Sequence, residues 1–403
     1  MVASNLALRS SAPPRAKVPS PESKRSRRIL LLEGPVGAIA AGIHANFVGP
    51  FALRLSATTF QMGMLTAFTE LLTALTQLFA SRIVGLLGGR KRMVVTTILL
   101  SALPWLFMAL VPFAPASIRV WMLIPLSAAA ISLFMISDPA VGSWISDVVP
   151  KNRRGSFLGL RGSAATLSLV TIALSGAMVL DRLGGAVLWG FVAVFLMALM
   201  ARLVSAYMFS RVMDPRPDMR IKPGMAPWQY IAHMGQTTLG RYNLFIFVFH
   251  FAMGCGGPFF GVYLLRDLGF SYLVFVSLGV ISNVAAIFTM PLWGRLADRR
   301  GNMFVLAITA PSLAIFPLTW VVSPQPWYLL LIHVFGGIIG AGWGIGAYNF
   351  VLEGSDEETR TSAVGYFRAM ASLGVFAGSL IGGAIATFLP TILPYQLMTL
   401  FLL

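Results

Sequence analysis

Eleven long apolar runs, parted by short polar breaks, leave this chain few folds to choose from. Wound as a helix, a run of ~20 residues matches the ~30 Å hydrocarbon layer of a bilayer. The runs lie near 29–53, 59–85, 93–114, 120–148, 157–180, 186–209, 242–265, 272–296, 303–322, 327–352 and 362–388. A twelfth begins near 391 with only 13 residues left, too few to cross unaided, so it is expected to be truncated. Of the 403 residues, 57% are hydrophobic and 11% charged, and mean hydropathy is +0.79. Soluble domains average about half apolar and a quarter charged. An ordinary soluble enzyme and a disordered chain are both excluded; the expected fold class is an all-α polytopic membrane protein.

The net charge of +16 and a pI near 10.9 would suggest nucleic acid in a soluble protein. Sorting the basic residues by loop gives a different answer. With the N-terminus inside, only Arg54, Arg119, Arg182 and Arg266 lie outside, and the other 26 of 30 lie on the inner side or in inner helix ends. That asymmetry follows the positive-inside rule. It removes nucleic acid as a partner and predicts a cytoplasmic N-terminus, with the bacterial cytoplasmic membrane as the expected location. Residues 1–28, with seven basic residues and one acid (Glu22), read as a disordered basic tail rather than a signal or transit peptide. A single cysteine, Cys255, excludes an internal disulfide and a cysteine-clustered metal site. No cofactor and no resident metal are expected.

The two halves repeat at an offset of about 206–212 residues. Gly49-Pro50-Phe51 matches Gly257-Pro258-Phe259, and His44 matches His250. Gly88-Gly89-Arg90-Lys91 corresponds to Arg299-Arg300-Gly301-Asn302. Asp147, Arg153 and Arg161 correspond to Glu353, Arg360 and Arg368. Their common order predicts two pseudo-symmetric six-helix halves, 29–209 and 242–403, joined by a cytoplasmic connector at 210–241.

The stretch from Gly294 to Asn302, Gly-Arg-Leu-Ala-Asp-Arg-Arg-Gly-Asn, resembles the loop signature of the major facilitator superfamily of secondary transporters. Val149 to Gly155, followed by Gly159, is similar to that family's span 4–5 junction. The resemblance covers the chain from about residue 29. The first-half loop departs from it, because Gly85 to Lys91 contains no acid. The drug–proton antiporter and sugar-porter signatures are missing too, so no substrate class follows. The resemblance implies that spans 3, 6, 9 and 12 are peripheral. It also implies that Asp298 locks the inner face, with Gly294, Arg299, Arg300, Gly301, Arg90 and Lys91 as the loop residues around such gates, the arginines serving first to keep these loops inside.

Ionisable groups in a membrane are costly and usually face a cavity or a partner. Thr66, Glu70, Thr73 and Gln77 advance by 4, 3 and 4 residues, one polar face of span 2, with Glu70 as the candidate proton carrier. The competing reading is an interhelical hydrogen-bond seam. Asp138, before Pro139, is expected to bind a cation or to pair with Arg161 across spans 4 and 5. His44, His250 and His333 are candidates for proton transfer or substrate contact, with packing as the alternative. His333 shares a face with Gly337, Gly340 and Gly344, expected to pack closely against another helix. Arg202 is expected to snorkel from the end of span 6. Asp356-Glu357-Glu358 suits a helix N-terminus.

No ATP-binding or hydrolase motif occurs, so no enzyme is expected. The functional expectation is a secondary transporter moving a small molecule or ion by alternating access, with proton coupling in view and a monomer assumed. An iron-type transition-metal transporter, for which His250, Met253 and Cys255 offer soft ligands, is one alternative. A non-transporting sensor or assembly factor is the other.

Overall fold

The structure, a computed structural model, describes residues 21–86, 89–149, 154–183, 187–214, 227–355 and 360–388. These residues form α1 (Pro21–Arg54), α2 (Thr59–Leu86), α3 (Arg90–Leu100), α4 (Ala102–Leu110), α5 (Arg119–Met135), α6 (Asp138–Val148), α7 (Arg154–Leu183) and α8 (Val187–Ser210). There follow α9 (Pro227–His233), α10 (Thr238–Gly256), α11 (Phe259–Val262), α12 (Tyr272–Arg300), α13 (Asn302–Thr319), α14 (Pro326–Glu353) and α15 (Arg360–Phe388). Among the described residues, eleven helical stretches are long and apolar enough to cross a membrane, as the hydropathy pattern predicts. The expected twelfth span and the acidic run at 356–358 lie outside the described residues.

Proline and serine explain why some spans are broken. The fourth span divides between α5 and α6, where Ser137 Oγ donates to the Phe134 carbonyl (2.6 Å) just before Asp138-Pro139. Proline has no amide hydrogen and clashes with the preceding turn, so the helix restarts there. Ser101 Oγ, bonded to the Ile98 carbonyl at 2.6 Å, marks the parallel break between α3 and α4. The helix start at Pro21 differs from expectation, since residues 21–28 are the first two turns of α1 rather than disordered tail. Proline suits a first helical position, and Glu22 in the first turn complements the helix dipole. Ser26, 2% exposed, then accepts the Met213 amide (3.0 Å).

The end of the bundle where α1 begins is called the tail face here, and the opposite end the distal face. At the distal face one apolar cluster joins the halves, with Phe51, Met62, Leu123 and Phe191 packed with Phe259, Tyr263, Leu278 and Trp320. At the tail face the clusters stay separate. Leu30, Val94, Trp144 and Phe209 pack within the first half, and Tyr242, Ile246, Leu306 and Val351 within the second. The large apolar seal between the halves is therefore distal, and toward the tail they stay in contact along α2 and α15.

Glycines on α15 make its contacts close. A Cβ on Gly374, Gly378 or Gly382 would lie 2.4, 2.0 or 2.2 Å from the carbonyl oxygens of Phe247, Phe251 and Cys255 on α10. On its other side α15 meets α2, where a Cβ on Gly63 would lie 2.6 Å from the Ser379 carbonyl. The expected stripe on α14 is corrected. Gly337 meets the Ser282 backbone, but Gly340 and Gly344 face open space, and Gly336, Gly342 and Gly346 are the other packed glycines.

The chain after α8 is clamped to the first half. Arg90 pairs with Asp214 (2.6 Å), Lys91 Nζ donates to the Val212 carbonyl (2.8 Å) and Trp144 Nε1 to the Met213 carbonyl (2.9 Å). Arg90 and Lys91, expected as gating-loop residues, hold this segment in place. In α9, Tyr230 stacks on Tyr366 with centroids 3.8 Å apart and accepts from Asn243 Nδ2. Burial raises the Tyr230 phenol above its ordinary pKa, and the Asn243 bond works the other way.

Gly378→Val should cost about 1–3 kcal/mol through overpacking. Gly294→Ala, where nothing lies within 4 Å, should cost nothing. Thermal unfolding in one detergent checks both.

Candidate functional site: a charged cleft between the halves

Asp138 opens α6 after the proline break, and Arg368 lies on the third turn of α15 in the other half. Arg368 Nη1 donates to Asp138 Oδ2 at 2.8 Å, and the two side chains stay 41% and 48% exposed. So much exposure, well inside the helices and between the halves, marks a cleft open to the tail face. The expected Asp138–Arg161 pair does not form. Arg161 instead donates from Nη2 to Glu33 Oε2 (2.5 Å) and from Nε to the Leu30 carbonyl (3.0 Å). The repeat explains the difference: Arg161 and Arg368 are equivalent, but residues 238–241, the counterpart of Glu33, contain no acid. Arg368 finds its carboxylate across the interface.

Glu33 was not singled out by motif or stripe. It is 2% exposed, and its Oε1 also accepts from Ser205 Oγ at 2.7 Å. Two glycines make room for it. A Cβ at Gly37 would lie 2.8 Å from Glu33 Oε1, and one at Gly34 would lie 2.6 Å from Arg161 Cγ. The available signal was its standing as the one acid inside the first apolar run. Arg202 also departs from expectation: it does not snorkel but is 0% exposed, its guanidinium 3.8 Å from the Phe134 ring centroid.

The polar stripe on α2 is divided between two neighbours. Thr73 Oγ1 lies 3.2 Å from Ser132 Oγ, and Gln77 Nε2 donates to the Met135 carbonyl (3.2 Å), both on α5. Glu70 instead lies beside the Ser372 side chain on α15, across the halves. Thr66 is half-buried on the same helix. A seam therefore accounts for Thr73 and Gln77 and leaves Glu70 at the interface of the halves.

The histidines are not brought together. His44 Nε2 is 3.0 Å from Ser127 Oγ and meets Trp105 edge-on. His250 and His333 each donate Nδ1–H to the carbonyl four residues earlier, of Ile246 (2.9 Å) and Leu329 (2.8 Å). His250 packs near Trp343, and His333 against Trp320 at 5.0 Å. Met253 and Cys255 fall about 160° apart around α10 at ~100° per residue, so with His250 they do not converge on one point. At the tail end of α12, Asp298, Arg299 and Arg300 are exposed, and Arg300 lies 5.3 Å from the Phe304 ring centroid. Asp298 makes no ion pair among the described residues. Gly301 turns the chain into α13 with φ 85°, a conformation suited to glycine.

At the distal face the seal is polar as well as apolar. Asp181 on α7 accepts the Tyr272 and Leu273 amides (2.9 and 3.0 Å), capping α12 across the halves. Arg266 Nη1 likewise donates to Thr59 Oγ1 at 3.1 Å.

Two helical halves sealed at one face, with a charged cleft open at the other, define a multi-pass membrane transporter. The chain belongs to the Major Facilitator Superfamily, whose family model matches residues 36–353 and 243–403. Among solved structures it resembles the nucleoside transporter NupG, at 13% identity and TM-score 0.71, covering 94% of this chain and 95% of that one. A D-xylose–proton symporter is similar at 15% identity and TM-score 0.68, with 94% of each chain covered. A bacterial homologue of the iron transporter ferroportin, in its inward-facing state, matches at 14% identity and TM-score 0.68, covering 94% and 96%. At these identities the likeness concerns the fold.

If these charges are placed as described, their stability effects should differ. Glu33→Ala leaves Arg202 and Arg161 without their carboxylate and should cost about 3–5 kcal/mol. Asp138→Asn, in a half-exposed pair, should cost under about 1 kcal/mol. Parallel detergent unfolding measurements check the ranking.

Proposed function

We propose that this chain is a secondary transporter of a small solute, working by alternating access and seen here open to the tail face. The carrying observation is the contrast between the ends: one apolar cluster unites the halves distally, while Asp138 and Arg368 meet half-exposed between them on the tail side. The charge asymmetry of the loops supports a cytoplasmic tail face. The six-helix halves then rock about the cleft, and transport rather than catalysis is the activity. The spread of the histidine, methionine and cysteine of α10 favours no metal-transporting variant, and no observation favours the sensor reading.

Spin labels in a Cys255→Ser background test the motion. A label pair at Arg211 and Arg299 should show a long and a short population, with the opposite change for a pair at Ser117 and Gln325. A single fixed distance in both pairs, with no solute counterflow in proteoliposomes, would count against a transporter.

Asp298 makes no ion pair among the described residues in this tail-open state, which supports a lock engaged only when that face closes. Asp298→Asn should favour the tail-open population roughly two- to fivefold, the effect of losing ~0.3–1 kcal/mol at a helix terminus. Unchanged label distances would remove that role. Glu70, which faces Ser372 across the halves, is the proposed proton carrier, so Glu70→Gln should flatten the pH dependence of uptake. Normal transport with an unchanged pH profile would exclude it.

A further inference from the structure

One carboxylate in the first half faces two guanidiniums, and only one of them holds it. Glu33 is bonded by Arg161 and Ser205, as given above. Arg202 lies three residues before Ser205 on α8, one turn away on the side of that helix that holds Glu33. Its Nε, Nη1 and Nη2 are all buried and have no hydrogen-bond partner among the described residues. A purely structural position would be better filled by an apolar side chain, because a buried, unbonded charge carries a large desolvation penalty. Arg202 is placed as a partner in waiting. Arg161 differs from it in access: its side chain is 23% exposed, and its neighbour Gly162 faces open space.

We propose that Arg161 binds the anionic group of the transported solute, and that Arg202 takes over Glu33 once the solute has displaced it. The inference rests on the transporter reading and names the solute as an anion bearing a carboxylate or phosphoryl group. Either group offers paired oxygens that match the planar guanidinium fork. Displacement alone would leave Glu33 as a bare buried anion. With Arg202 beside it, the carboxylate exchanges one cation for another, and no net charge is left unpaired. Gly34 and Gly37 leave to Arg161 and Glu33 the space that a Cβ would take. Arg368, which lies between the halves, is already held by Asp138.

The full chain in detergent is titrated with succinate, inorganic phosphate and neutral ribose, and thermal stabilisation gives an apparent Kd. Glu33→Gln removes the internal competitor and should tighten binding of one anion about tenfold, the worth of a charged hydrogen bond. Arg202→Met removes the waiting partner and should weaken it by a similar factor. The double variant Glu33→Gln with Arg161→Gln should bind neither anion. Succinate alone responding identifies a carboxylate solute, and phosphate alone a phosphoryl one. If Glu33→Gln does not fold, Ser205→Ala loosens Glu33 and carries the same expected tightening. The proposal is overturned if no anion stabilises either wild type or Glu33→Gln, if Arg202→Met binds like wild type, or if binding survives in the double variant. Counterflow of a neutral solute alongside failed anion binding would overturn this inference and leave the transporter reading standing.

Discussion

Helices in a bilayer gain little by burying apolar side chains against each other, because lipid tails are as apolar as leucine. Backbone approach through small residues has to supply the contact, and in this protein α15 supplies most of it. Gly374, Gly378 and Gly382, four residues apart, admit the carbonyls of Phe247, Phe251 and Cys255, also four apart. The opposite side of α15 meets Gly63 of the first half, and near the tail Gly365 approaches the Gln77 backbone. The α2–α15 seam is thereby closed along its length. The halves part instead between α7 and α12, which meet through Ala173, Ala177 and Val276 toward the distal end.

That opening decides which charges are cheap and which are not. Asp138 and Arg368 keep water and bridge the halves at little cost, so breaking and re-forming their pair is compatible with a moving interface. Glu33, Arg161 and Arg202 lie within one half, where desolvation makes each partner matter. One set is suited to the relative motion of the halves and the other to the interior of a single half. Glu70, beside Ser372 across the closed seam, places a protonatable side chain at the same interface.

The repeat sharpens this division by being imperfect. Arg161 and Arg368 occupy equivalent positions, but only the first half places an acid on its opening helix. The first-half arginine is satisfied internally and the second-half arginine is left to reach across. The clamp of Arg90, Lys91 and Trp144 on residues 212–214 ties the segment after α8 to the first half, while Tyr230 stacks on α15 of the second. The polypeptide joining the halves is thus anchored at both ends.

Much of the fold was legible because its signals are local. Run length, hydropathy and proline breaks each depend on a short stretch of chain, and apart from the early start of α1 at Pro21 the observed helices begin and end close to where those signals place them. The candidate site was legible only in part. Residue type marked Glu70, Asp138 and Arg161 as costly, yet the partners of Asp138 and Arg161 and the burial of Arg202 depend on how each helix is rotated and what lies opposite. The sequence by itself determined the eleven spans of the described residues, the two-half repeat and the inventory of ionisable residues within the spans. Tertiary structure alone decided that Glu33 holds Arg161, that Arg368 crosses to Asp138 and that the cleft opens toward the tail. Pairing in a low-dielectric interior is set by distances of a few ångströms between side chains that are more than a hundred residues apart in the chain.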